Sequence, residues 1–204
     1  VSAGLRGVLA SALAGIAGAA ILWQATDGLS AFTAESARRA EVLRSPRALP
    51  AAMLQDQDGA LFSLDDYRGR LLAVEFIYTR CETVCLSLGA AFRQIRDRIP
   101  PQALGRDFAL LSLSFDSAHD QPAQLRDYAR RFGADGRHWR VARVPDEAAL
   151  GALLERFGVV VIPDGRGGFE HNAAIHLIDR EGRLARIADL EDVHGFVASV
   201  EALR

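Results

Sequence analysis

The chain has 204 residues, half of them hydrophobic, and a formal net charge of −2 at pH 7. That length carries one domain of ordinary size beside a terminal segment, and the charge lacks the basic footprint of a nucleic-acid binder. All 24 cationic residues are Arg, and the two cysteines, Cys81 and Cys85, are too few for a disulfide-stapled scaffold.

Residues 1–23 read as a membrane anchor or signal segment. Arg6 precedes seventeen uncharged residues, Gly7–Trp23, close to the lower length limit for a spanning helix. The Ala17-Gly18-Ala19 triplet also resembles a cleavage site. An uncleaved anchor is the preferred reading, a single span in the inner membrane with the rest of the chain in the periplasm. Arg38, Arg39, Arg44 and Arg47 follow the segment while Arg6 alone precedes it, which runs against the usual charge asymmetry. Residues 24–50 read as a connector, helical and charged over "ESARRAEVLR" and broken by Pro46 and Pro50.

Residues 51–204 read as an α/β domain. "AMLQDQDGALFSL" alternates around Asp58-Gly59 and predicts a hairpin. Leu71–Tyr78 is an apolar run of central-strand length. Cys85–Arg98 has Leu88, Ala91, Phe92 and Ile95 on one helical stripe. Phe108–Phe115 predicts a second buried strand, "QPAQLRDYARRFG" a helix with Pro122 in its first turn and Gly133 at its end, and "HWRVARV" a short strand. "DEAALGALLERFG" predicts a further helix. "PDGRGGFEHN", Pro163–Asn172, reads as a Gly-rich loop without the context of a nucleotide motif. Ala173–Asp179 and Arg183–Ile187 predict a second hairpin, and "LEDVHGFVASVEAL" a terminal helix. The order fits a thioredoxin-like fold with an N-terminal β-hairpin and an insertion before the last two strands, preceded by the anchor.

Cys81 and Cys85 fall where the first central strand gives way to a helix, at the strand edge where open α/β sheets place ligands. A helix N-terminus favours thiolate, so both thiols are expected to be more acidic than free Cys. Spacing i, i+4 lets both sulfurs reach one metal ion, or close a disulfide if the backbone departs from ideal helix. Two thiolates do not complete a metal site, and imidazole is the usual addition. Of His119, His138, His171, His176 and His194, the topology brings His171 beside the helix start, although a loop histidine can equally be merely solvated. Two thiolates and one imidazole suit Cu(I), with room for Cu(II). Glu75, the polar residue of a buried run, reads as a paired charge or as facing the solvated side of the sheet.

"FIYTRCETVC", "SFDSAHDQP" and "EHNAAIHLIDREGRL", in that order, resemble three blocks of the Sco/SenC family, the copper-handling proteins of cytochrome c oxidase assembly. The resemblance implies a thioredoxin-like fold, a membrane anchor, and copper held by Cys81, Cys85 and His171. It places Asp116 and Asp120 on an acidic block, where capping and partner-facing roles are both open. It implies delivery of copper to subunit II of the oxidase or another acceptor, supported by a periplasmic thiol reductant. The alternative it allows is a thiol–disulfide oxidoreductase that keeps a copper-site partner's cysteines reduced, with Cys81 and Cys85 as the redox pair. The chain departs from the pattern at Glu82 and Leu86, where the family commonly has proline. It also has Glu170 in place of Asp before His171, and Asn172 where a small hydroxyl is usual.

Overall fold

The protein was analysed as a computed structural model, which describes residues 3–26, 33–81 and 84–203. The chain divides into two compact units, Val1–Arg44 and Ser45–Arg204.

The first unit holds α1 (Ala3–Ala25) and α2 (Ala34–Arg44). The helix expected over "ESARRAEVLR" is thus present, and Arg38 and Arg39 both bind Glu35 in its first turn. The expected anchor, Gly7–Trp23, lies in α1 with Val8, Leu13, Ile16, Ile21, Leu22 and Trp23 exposed. Among the described residues, however, no helix is long and apolar enough to cross a membrane, so the expectation of a spanning segment is not supported. Six Ala and three Gly occupy nine of its seventeen positions and contribute little apolar area each.

The second unit is built on one sheet of order β1-β10-β9-β4-β5-β6-β2-β3. Its strands are β1 (Arg47–Ala48), β2 (Met53–Asp56), β3 (Leu61–Ser63), β4 (Leu71–Ile77), β5 (Phe108–Ser114), β6 (Trp139–Arg143), β9 (Ile175–Ile178) and β10 (Arg183–Ala188). A separate two-stranded sheet pairs β7 (Val161–Pro163) with β8 (Phe169–His171). The helices are α3 (Val84–Arg98), α4 (Pro122–Phe132), α5 (Glu147–Phe157) and α6 (Val193–Leu203).

β4, β5 and β6 are parallel neighbours, and every residue of β4 and β5 is buried, as continuous apolar runs require. The crossovers from β4 to β5 and from β5 to β6 advance in one direction, so right-handed connections put α3 and α4 on one face. Phe92 of α3 there meets Trp139 at 5.8 Å. On the other face Phe157 of α5 meets Phe76 at 5.0 Å and His176 at 5.1 Å. Both expected hairpins are present: β2 with β3, turning through Gly59 at φ 84°, and β9 with β10. The expected α/β domain with an N-terminal hairpin is therefore the observed one. The segment 163–172, read from the sequence as a loop, is instead mostly hairpin. Its tip is tied by Asp164, which accepts from the backbone of Arg166 and Gly168, and left-handed Gly165 and Gly167 make the turn.

Candidate metal centre

The site begins at the end of β4. The Tyr78 carbonyl accepts the Cys81 N–H at 3.2 Å, and this turn holds Cys81 just before α3. Cys85, in the first turn of α3, donates its backbone N–H to Cys81 Sγ at 3.3 Å. The sulfur thus takes one of the donors that a helix start leaves unpaired. Neither cysteine is in a disulfide, and both are buried, Cys81 4 % and Cys85 1 % exposed. Glu82, a departure from the family pattern, lies outside the described residues.

Burial pushes the Cys85 thiol well above its usual range, helped by its hydrogen bond with Cys81. The sequence led us to expect an acidic thiol there. Desolvation of a charge in the core outweighs the modest pull of a helix terminus. The metal-free Cys85 is therefore a protonated thiol.

His171 closes β8, opposite Val161. Its ring stands against Phe115 at 5.1 Å. Burial pushes its pKa down to about 4, so the imidazole is neutral at pH 7. Both ring nitrogens are buried without a hydrogen-bond partner. A buried orphaned nitrogen is costly and is the kind of lone pair a metal can take. Phe115, Tyr78 and Phe169 form a cluster with centroids 5.3–5.6 Å apart that connects His171 to the end of β4. The structure thus joins the thiols directly to each other and His171 to the Tyr78 side of the same edge. The candidate donor atoms of Cys81, Cys85 and His171 do not form a group within 4.8 Å; among the described residues Asp116, His119 and Asp120 do.

That acidic group is already occupied by protein donors. Asp120 is fully buried and accepts from the Thr79 backbone at 2.9 Å, the Thr79 hydroxyl, Ser114 Oγ at 2.6 Å and the His119 ring at 3.0 Å. Asp116 holds Arg80 at 2.6 Å. Of the roles left open for these residues, the contacts favour the structural one: they lace together the segments that follow β4 and β5. Asp120→Ala is expected to cost roughly 2–4 kcal/mol of stability, because it strands several donors at once. A denaturant midpoint equal to that of the wild type would refute the assignment.

The remaining histidines sit apart in role. His138 pairs with Asp135 at 2.7 Å, His176 is buried between Phe76 and Phe157, and His194 is exposed on α6. Sequence reasoning did not single out Tyr78, Phe115 or Phe169. An aromatic at each carboxyl end of the two central strands was the available signal. It also left Glu75 without a role. The residue is fully buried, and Oε1 takes the Ser112 hydroxyl and lies 3.4 Å from the Tyr128 hydroxyl. Oε2 has no partner. Burial raises its pKa to about 8, so it is neither a paired charge nor solvated, but a neutral acid.

A family model described as SCO1/SenC matches residues 50–202. The SCO1 protein homolog of Bacillus subtilis (strain 168) is 25% identical over 134 residues, 65% of this chain and 68% of that protein. A protein of Stutzerimonas stutzeri named as copper-binding is 25% identical over 152 residues, 72% of each. The copper-bound structure of Bradyrhizobium japonicum ScoI superposes with a TM-score of 0.64 at 22% identity, covering 77% of this chain and 99% of that one. That last likeness concerns the fold, which is the thioredoxin-like fold of Sco proteins.

Proposed function

The chain belongs to the SCO1/SenC family, and from that premise we propose that it is a copper metallochaperone whose cargo is held by Cys81, Cys85 and His171. The observation that carries this reading is His171: a neutral, half-buried imidazole whose two ring nitrogens are buried and unpartnered, at the strand edge that also carries two cysteines outside any disulfide. Two soft sulfurs and one imidazole are the donor set that suits Cu(I) and tolerates Cu(II). The copper named for the Stutzerimonas stutzeri relative and bound in the Bradyrhizobium japonicum structure supports the same cargo.

Loading is a ligand exchange with proton release. Cu(I) displaces one proton from each thiol, while the imidazole already offers a lone pair, so two protons leave per ion bound. A Cys81–Cys85 disulfide excludes the metal, so in an oxidising compartment the pair needs a thiol reductant. The acceptor in this reading is the copper centre of cytochrome c oxidase, in subunit II or an equivalent site. The domain works in the periplasm, tethered to the inner membrane through the exposed apolar side chains of α1.

Cells carrying full-length His171→Ala or Cys81→Ser, scored for oxidase activity, test the reading. A chaperone loses most activity in both, and added copper partly restores the histidine variant. Near-normal activity in His171→Ala, with Cys81→Ser rescued by added dithiol, would replace it with the thiol–disulfide oxidoreductase. Recovery of the wild-type chain in the soluble fraction after cell breakage would remove the tether.

A further inference from the structure

Tyr78 touches both halves of the candidate centre. It is the residue that follows β4, and it is 7 % exposed. Its main-chain carbonyl fixes Cys81 at 3.2 Å. Its hydroxyl donates to the Phe169 carbonyl at 3.1 Å and accepts the Phe169 N–H at 3.3 Å. One phenol thereby satisfies both backbone groups of a residue 91 positions away, as a neighbouring strand would.

Phe169 opens β8, and His171 lies two residues on. In a strand, residues i and i+2 share a face, and both rings do meet Phe115, at 5.6 and 5.1 Å. Fixing the backbone at Phe169 therefore fixes the direction of the His171 ring. The hairpin has a second mount at its base. Asn172 accepts the Val160 N–H at 2.7 Å and donates to the Gly158 carbonyl at 2.9 Å. With that base held, the remaining freedom is a pivot of the hairpin, and the phenol braces it at Phe169, between the base and the Asp164–Gly168 tip. Gly168 fits the close approach, since a Cβ there would lie 3.2 Å from the Tyr78 hydroxyl oxygen and 2.7 Å from Asp164 Oδ2.

We propose that Tyr78 is a positioning residue that sets the register of His171 at the strand edge that carries the cysteine pair, through its paired hydrogen bonds to Phe169. The inference rests on the copper reading above for its consequence, and on the hydrogen-bond geometry for its cause. The Tyr78→Phe change keeps the ring and its packing with Phe115 and Phe169 and removes only the hydroxyl.

Full-length wild type and Tyr78→Phe should be compared by hydrogen exchange at Phe169 in the metal-free state, and by copper competition titration and absorption spectra in the loaded state. The variant is expected to retain two titratable thiols and to exchange the Phe169 amide at least tenfold faster. Its copper affinity should fall about 10–100-fold, the usual effect of removing a group that orients a ligand. The loss should not add to that of His171→Ala, because both remove the same imidazole. Unchanged Phe169 exchange, or faster exchange with wild-type copper affinity and spectrum, would overturn the proposal, as would full additivity with His171→Ala. Failure of the wild-type chain to take copper would sink the functional reading instead, and Phe169 exchange would still decide whether the phenol mounts the hairpin.

Discussion

Glu75→Gln is expected to remove a fall in stability that the wild type shows between about pH 6.5 and pH 8. The folded pKa of Glu75 is raised to about 8 from an ordinary value of 4.5. Its favourable share of stability is full below the unfolded value and is lost as pH rises through the folded one. Between those values the folded state holds one more proton than the unfolded, a slope of roughly 1.4 kcal/mol per pH unit. His171 acts in the opposite sense. Its folded pKa is lowered to about 4 from 6.5, so its share is present above 6.5 and lost as pH falls. The two slopes oppose each other from about 4.5 to 6.5 and leave Glu75 alone above that. The raised Cys85 starts to act near its unfolded value of 9.0, and the lowered Glu35, Asp135 and Asp164 act in the acid range. Over pH 6.5–8 the wild type should lose about 2 kcal/mol. Denaturant melts at several pH values check this, and an unaltered slope in Glu75→Gln would show that another group titrates.

The second large effect concerns the thiols. Cys81→Ser and Cys85→Ser should each weaken Cu(I) binding by on the order of a thousandfold or more, because a serine hydroxyl stays protonated at neutral pH and is a hard donor. Cys85 lies under Tyr128, whose hydroxyl is 3.5 Å from the Cys85 carbonyl, so Cys85→Ala serves as the packing control. His119→Ala, His138→Ala and His194→Ala should bind copper as the wild type does. His176 is excluded from that control set, since replacing it opens a hole between two phenylalanines. Competition titration with a Cu(I) chelator reads all of these, and wild-type affinity in either serine variant would exclude that sulfur as a ligand.

The elements governed by local pattern were legible from the sequence. Leu71–Ile77 and Phe108–Ser114 announce themselves as buried strands by unbroken apolar runs. Pro122 and Gly133 bracket α4 as turn chemistry requires. The β7–β8 hairpin was not legible, because "PDGRGGFEHN" has no alternation. It is held by Asp164, by Asn172 and by a phenol from the end of β4. The Cys85 protonation state was missed for a related reason: sequence shows the helix start but not the burial around it. Glu75 is the same lesson in another place, since no local rule says that a lone carboxyl within an apolar strand will face Ser112 and Tyr128 rather than water or a cation. The three candidate ligand positions came from motif order and topology, which fix what lies at a strand edge but not how a side chain is aimed.

X-ray absorption at the copper edge of the loaded full-length chain tests the central claim most directly. The expected result is a low-coordinate ion with two sulfur neighbours and one imidazole, and loss of the imidazole scattering in His171→Ala while both sulfurs remain. Imidazole scattering that survives His171→Ala, or a first shell with one sulfur or none, would contradict the assignment of Cys81, Cys85 and His171 as the copper ligands.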